Sequence, residues 1–404
     1  MKKNSLIFGL LCWAILGNMT SIIAQTTSKK TIDIQHLEPT FWWVGMKNPE
    51  LQLLVHGKDI AKTQVSLKYE GVRIKEKISV ENPNYLFITL VISADAKAGI
   101  VPITFVDGKN SYTHNYELKN KSTAKNRIQG FSNADMMYLI MPDRFANGDD
   151  SNNIIAGMPD KFDRTNGDAR HGGDLKGIAD KLDYISELGI TALWINPVLE
   201  NNMPAYSYHG YAMTDLYNVD RRFGGNSAYL DLIDKAHAKG IKVIKDMVLN
   251  HFGIEHWFIK DMPMSDWVNQ HKNFTKTNYR LATISDPYAS ENDKNLMADG
   301  WFDNHMADMN QRNKFLGTYL IQNAIWWIEY SGIDGIRMDT YPYSDKTYLA
   351  QWSKAIMDEY PQFNIVGEVW EQASSAIGGY WQKGGKNWDN MKQLCLLSQI
   401  FLCR

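Results

Sequence analysis

From about residue 134 onward the chain alternates between two hydrophobic periods, and this alternation limits the fold more than any other feature. Short apolar runs at 138–142, 192–197, 241–248, 335–339 and 363–369 read as buried strands. Between them, 175–188, 227–239, 315–330 and 348–359 repeat apolar residues at helical spacing. Gly189, Gly240 and Gly332 stop three of these helices. Strands that alternate with helices in this way predict an α/β fold around a parallel sheet. Long segments leave after two of the strands, and 249–314 is the largest. A loop of that length inside a compact domain usually carries function.

The preceding stretch has a different rhythm. Residues 51–56, 64–69, 85–92, 101–106 and 112–118 are rich in β-branched and aromatic side chains. Gly57, Gly71, Asn82, Pro83, Gly99, Asp107 and Gly108 punctuate them, which predicts a β-sandwich. The polar, basic stretch 120–127 reads as a linker. At the N-terminus, Lys2 and Lys3 precede an apolar run over 6–16, and small and polar residues lead on to Ala24. That is the pattern of a cleavable secretory signal over 1–24, and the run is short for a membrane span. Cys12 lies within it without the small residues that precede a lipid-modified cysteine. The other two cysteines are Cys395 and Cys403, so the exported fold is expected to stand without disulfides. A net charge of -2, with no basic stripe and no acidic tail, argues against nucleic acid as a partner.

Polar residues gather where the expected strands end. Asp246 closes the third, followed by Asn250 and His251; Arg337 and Asp339 close the fourth; Glu368 closes the fifth, with Trp370 behind it. A carboxylate in an apolar strand is costly to bury unpaired, and barrel enzymes keep catalytic groups at the C-terminal ends of strands. An ion pair or helix cap would explain any one of these residues, but explains three successive strands poorly.

Several blocks here resemble the α-amylase family of glycoside hydrolases. They are DMVLNH at 246–251, GIRMD at 335–339, VGEVW at 366–370 and MADMN at 306–310, with TALWINP at 191–197 and YHGY at 208–211. MADMN is a variant of a block typical of the neopullulanase and cyclomaltodextrinase branch, with Ala307 where Pro is usual. The segment 38–57 looks like the start of the β-sandwich that precedes the barrel in that branch. The resemblance implies a TIM (β/α)8-type barrel, of which about five strands are present, behind an N-terminal sandwich. The expected organisation is a signal peptide at 1–24, the sandwich at 25–122, a partial catalytic barrel at 123–390 with its insertion at 249–314, and an aberrant tail at 391–404.

By the same resemblance, Asp339 is the nucleophile and Glu368 the acid/base of a retaining hydrolase acting on α-1,4-linked glucans. Arg337 lies two residues before Asp339, on the same strand face, and should hold it ionised. Val369 and Trp370 should form an apolar wall that raises the pKa of Glu368. His251 is expected to hydrogen-bond the sugar, with Tyr211 stacked beneath it, His209 nearby and Trp370 lining the site. Asp246 and Asn250 shape the site rather than react, although the Asn of this block binds calcium in some related amylases. Asn147, Asp149, Asn152 and Asn153 crowd one loop, with Gly172, Gly173 and Asp174 further on. Hard oxygen donors at short spacing suit Ca²⁺, and this arrangement looks like the structural calcium loop of the same branch; a plain Asx-rich turn is the alternative.

The pattern also breaks. The family barrel has eight strands and a further His–Asp pair, yet no His follows His305 and the only Asp after Glu368 is Asp389. The tail MKQLCLLSQIFLCR departs in composition from what precedes it, and a frameshift or premature stop is the expectation. Five strands of a closed barrel would leave an unpaired edge. Gly335, Pro342 and Tyr343 differ from branches that carry Lys–His after the nucleophile, which leaves linkage preference open. Besides hydrolysis, two readings stand: a transglycosylase or isomerising enzyme of the same family, and an inactive truncated glucan-binding remnant. Export to the periplasm and homodimerisation through the N-terminal domain are what the resemblance implies for location and assembly.

Overall fold

A computed structural model describes residues 32–369 except 125–126 and 271–272. The segment expected to be a signal peptide, the tail, Trp370 and all three cysteines lie outside the described residues. Strands β1 (His36–Glu38), β3 (Glu50–His56), β6 (Tyr85–Ile92) and β5 (Val72–Ser79) form one antiparallel sheet in the order β1-β3-β6-β5. Strands β2 (Trp42–Val44), β8 (Asn110–Asn120), β7 (Gly99–Asp107) and β4 (Gln64–Leu67) form the second, in the order β2-β8-β7-β4. Leu53, Val55, Phe87, Val101, Ile103 and Phe105 are buried without exposed surface or nearly so, and belong to the continuous core. Three strands of this domain escape the sequence reading. β1 and β2 are too short to show a period. In β5 the register shifts between Ile74 and Glu76, so its alternation breaks at a bulge.

The second part carries five parallel strands: β9 (Met137–Ile140), β10 (Ala192–Ile195), β11 (Lys242–Val248), β14 (Gly335–Asp339) and β15 (Asn364–Gly367). They are neighbours in chain order, as in a singly wound barrel wall. Between β11 and β14, the long excursion holds β12 (His251–Gly253) paired antiparallel with β13 (Met306–Asp308), so it is not a structureless loop. The helix expected over 175–188 is two short helices, Leu175–Ala179 and Leu182–Glu187, with the break at Asp180 and Lys181. Helices Gly225–Ala238, Lys314–Ser331 and Lys346–Glu359 cover the outer face. Asn313 caps the second through the N–H groups of Phe315 and Leu316, and Gly332, at φ 75°, ends it in the left-handed region. Among the described residues no helix is long and apolar enough to cross a membrane.

Strand alternation sorts the side chains onto two faces. Leu193, Ile195, Val243, Met247, Ile336, Met338 and Ile365 join the main core on the helix side. Ala192, Trp194, Ile244 and Val366 form a separate inner cluster with Phe131. Gly335 lies on this inner side, and a Cβ there would stand 2.4 Å from the Phe131 ring, so glycine makes room for it. The sandwich is tied to the barrel by a reciprocal amide pair. Gln52 N donates to Gln322 Oε1 at 2.8 Å, and Gln322 Nε2 donates to the Gln52 carbonyl at 2.7 Å. Tyr319 donates its hydroxyl to buried Glu38 at 2.6 Å.

Candidate active site

Parallel register brings the inner-face polar residues together. Asp246 on β11 stands opposite Arg337 on β14, and Val248 opposite Asp339. Arg337 in turn stands opposite Val366, two residues before Glu368. Arg337 Nη1 donates to Asp246 Oδ1 at 2.9 Å and Oδ2 at 3.0 Å, and to Asp339 Oδ1 at 2.9 Å. Arg337 Nη2 is ion-paired with Glu368 Oε1. One guanidinium thus meets three carboxyl groups from three neighbouring strands. Asp339 and Glu368 thus meet the same guanidinium at its two terminal nitrogens.

Burial raises Asp246 to about 7; Arg337 pulls it down, and the charge of Asp339 pushes it further up. Burial also raises Asp339 above the usual carboxylate range, against the opposing pull of Arg337 and the hydroxyl of Thr340. Arg337 acts on Asp339 in the expected direction, towards the ionised form, while burial of the carboxyl works against it. The surroundings of Glu368 also differ from the expected apolar wall. Besides Arg337, its Oε2 accepts the Thr340 N–H at 3.1 Å. Trp370, the other half of that wall, lies outside the described residues.

Tyr211 donates its hydroxyl to Asp246 Oδ2 at 3.0 Å, and its ring lies 5.8 Å from that of His209. His209 Nδ1 accepts the Tyr211 N–H at 2.9 Å, and burial lowers His209 to about 4, so it is a neutral acceptor. His251 is buried, and desolvation takes it down to about 3. Its Nδ1 faces Asn250 Nδ2 at 3.3 Å. Its Nε2 is buried without a hydrogen-bond partner among the described residues, as is Asn250 Oδ1. The β12–β13 pairing sets His251 opposite Asp308, which joins the DMVLNH and MADMN blocks at one place. Phe302 stacks on His251 at 5.6 Å and meets Tyr343 edge-on at 5.5 Å, forming an aromatic flank.

Two contributors were not singled out from the sequence. Trp194 donates its indole N–H to Asp246 Oδ2 at 2.9 Å, and its ring lies 4.8 Å from the Arg337 guanidinium. The alternation in β10, where Trp194 points opposite to Leu193 and Ile195, was the available signal. Thr340 donates its hydroxyl to Asp339 Oδ2 at 3.0 Å, and no sequence pattern marks it.

The loop with the candidate metal residues is compact. Asp149 N donates to Asn147 Oδ1 at 3.0 Å, and Asn147 Nδ2 donates to Asn153 Oδ1 at 3.2 Å. Asn153 Oδ1 lies 2.3 Å from where a Cβ on Gly172 would stand, and Gly172 has φ +81°. Asp174 is fully buried and caps helix Leu175–Ala179. Its carboxylate accepts from the N–H groups of Gly148, Asp149 and Gly177 and from Asn152 Nδ2. Asn152 Oδ1 is buried without a partner among the described residues.

Neighbouring parallel strands that end in carboxyl groups around one arginine place the site at the C-terminal edge of a barrel-type sheet. The chain belongs to the α-amylase family: the alpha-amylase catalytic domain matches residues 139–392, and the cyclomaltodextrinase N-terminal domain matches residues 36–122. The chain is 32% identical over 251 residues to a cyclomaltodextrinase of Thermoanaerobacter pseudethanolicus, a match covering 60% of this chain and 41% of that protein. It is 31% identical over 256 residues to neopullulanase 2 of Thermoactinomyces vulgaris, covering 60% and 40%. The crystal structure of an Anoxybacillus alpha-amylase matches with a TM-score of 0.52 at 34% identity, over 61% of this chain and 49% of that one. The chain therefore spans about two fifths of the length of these two curated relatives.

Proposed function

We propose that this site hydrolyses α-1,4-glucosidic bonds in starch, pullulan, cyclodextrins or maltooligosaccharides with retention of configuration. The observation that carries the reading is the Arg337 guanidinium shared by Asp246, Asp339 and Glu368. One cation cannot neutralise three enclosed carboxyls, so the cluster keeps a proton near neutral pH. Retaining chemistry needs one carboxyl ionised and one protonated. Asp339 receives a guanidinium N–H on one oxygen and the Thr340 hydroxyl on the other, which favours it as the ionised member. Glu368 delivers its proton to the glycosidic oxygen as that bond breaks, and Asp339 forms an ester with the anomeric carbon. Glu368, now a carboxylate, takes a proton from water as the water oxygen displaces Asp339. His251 Nε2, buried and unpartnered among the described residues, is suited to a sugar hydroxyl. Tyr211 and His209 flank it, and Asp246 and Asn250 shape the floor. The names of the relatives, cyclomaltodextrinase and neopullulanase, support the substrate class.

The test is trapping. A ring-fluorinated glucosyl fluoride should lose its anomeric fluoride and add one fluoroglucosyl mass at Asp339 in the intact protein, and Asp339→Asn should lose both the adduct and all release of reducing sugar. Turnover retained by Asp339→Asn would sink the assignment.

The same proposal includes a structural Ca²⁺ held by Asn147, Asp149, Asn152, Asn153, Gly172 and Asp174. The donors are oxygens, and the orphaned Asn152 Oδ1 fits a cation. Asp174 fits less well, since its oxygens already accept four N–H donors. The ion would brace the loop and take no part in bond cleavage. Chelation should lower the melting temperature, and an unchanged melt with and without Ca²⁺ would remove the ion from the proposal. Export rests on the 1–24 pattern, and N-terminal sequencing of the secreted protein should begin after Ala24.

A further inference from the structure

Thr340 follows Asp339 at the end of β14, with φ 42° and ψ 41°. A β-branched side chain in the left-handed region is a genuine outlier, and such strain persists only where the surroundings over-determine it. Here they do. Thr340 is 3% exposed. Its hydroxyl donates to Asp339 Oδ2 at 3.0 Å, and its N–H donates to Glu368 Oε2 at 3.1 Å. The next amide, that of Tyr341, donates to the Glu368 carbonyl at 3.1 Å, and Glu368 N donates to the Met338 carbonyl at 2.9 Å. The turn after β14 is thereby stitched to the end of β15 through one residue. Glycine would relieve the backbone, but it has no hydroxyl to offer Asp339.

We propose that Thr340 is a positioning residue that couples the two carboxyls, holding Asp339 by its hydroxyl and Glu368 by its amide from a strained turn. This rests on the reading of Asp339 and Glu368 as nucleophile and acid/base. The two contacts are separable. Any residue supplies the amide, whereas only a hydroxyl supplies the bond to Asp339. A donor to the charged carboxylate favours its ionised form, so losing that donor moves Asp339 up in pH.

The experiment uses the full chain carrying ¹³C-carboxyl aspartate, with the Asp339 resonance assigned by its absence in Asp339→Asn. Thr340→Val keeps the branched shape and Thr340→Gly relaxes the backbone; both should raise the titration midpoint of Asp339 by about one pH unit. Thr340→Ser should restore the original midpoint. On an aryl α-maltoside, kcat should fall about tenfold in Thr340→Val, with KM changed less than about twofold, and Thr340→Ser should recover it. An Asp339 midpoint that is the same in Thr340→Val and Thr340→Gly as in the native chain overturns the proposal, as does a serine variant that behaves like valine. If the midpoints move as expected while no form, native included, turns over substrate, the coupling by Thr340 is supported and the hydrolase reading falls.

Discussion

Lys245→Met removes a buried ammonium group whose cost can be worked from its surroundings. Lys245 lies on β11 beside Asp246 but points to the helix side, and it is 1% exposed. Its Nζ has no hydrogen-bond partner among the described residues. It sits 4.2 Å from the ring centroid of Trp327 and 5.1 Å from that of Tyr229. Burial pushes it down from 10.5 to about 7, against the attraction of Asp246. The difference between 10.5 in the unfolded chain and about 7 in the folded one corresponds to about 5 kcal/mol at low pH. The sign follows from proton counting. Between about pH 7 and pH 10.5 the unfolded chain binds the proton and the folded chain does not, so stability rises with pH across that window. Methionine fills the same unbranched space without the charge. The variant should therefore be more stable by about 5 kcal/mol at about pH 6, and the gain should vanish near pH 10.5. Guanidinium unfolding followed by tryptophan fluorescence at several pH values measures it. No gain at the acidic end, or a gain that does not shrink as pH rises, would refute the reasoning.

Other perturbations have equally definite outcomes. Gly335→Ala sets a methyl group 2.4 Å from the Phe131 ring, and overpacking there should cost about 1–3 kcal/mol in denaturant unfolding. Asp261 accepts from His56, Asn82 and Asn84 at the sandwich–barrel seam, so Asp261→Ala should cost about 2 kcal/mol. Burial works to raise Asp261, but those hydrogen bonds win and hold it below 3.8. Its stabilisation is present above that pH and lost as pH falls through the lower folded value, so the acid limb of the stability curve should be shallower in the variant. Trp194→Phe deletes the indole donor to Asp246, and the Asp246 carboxyl should titrate above its present value of about 7 in ¹³C spectra.

Much of the scaffold was legible in advance because periodicity is local. The expected strand over 335–339 is β14, and 85–92 is β6, each a run whose burial one face or two faces reveal in the residues themselves. The helix expected over 315–330 is Lys314–Ser331, with Gly332 as its stop. What failed was also local in cause: a bulge hid β5, and strands of three residues carry no period.

Residue type and strand position alone were enough to nominate Asp246, Arg337, Asp339 and Glu368. Carboxylates at the ends of apolar runs have few inexpensive structural explanations. The convergence of three of them on one guanidinium was decided by parallel register, which sets Asp246 against Arg337 and Arg337 against Val366. Register is a relation between segments distant in the chain, and no window of residues contains it. Burial is another such relation. It raises Asp339 where charge pairing alone would lower it, brings the Trp194 indole onto Asp246, and bends Thr340 into a conformation its side chain disfavours. The chain's own pattern named the chemical groups; enclosure by neighbouring strands and helices set their protonation and their partners, because desolvation and hydrogen bonding act only between residues the fold has brought together.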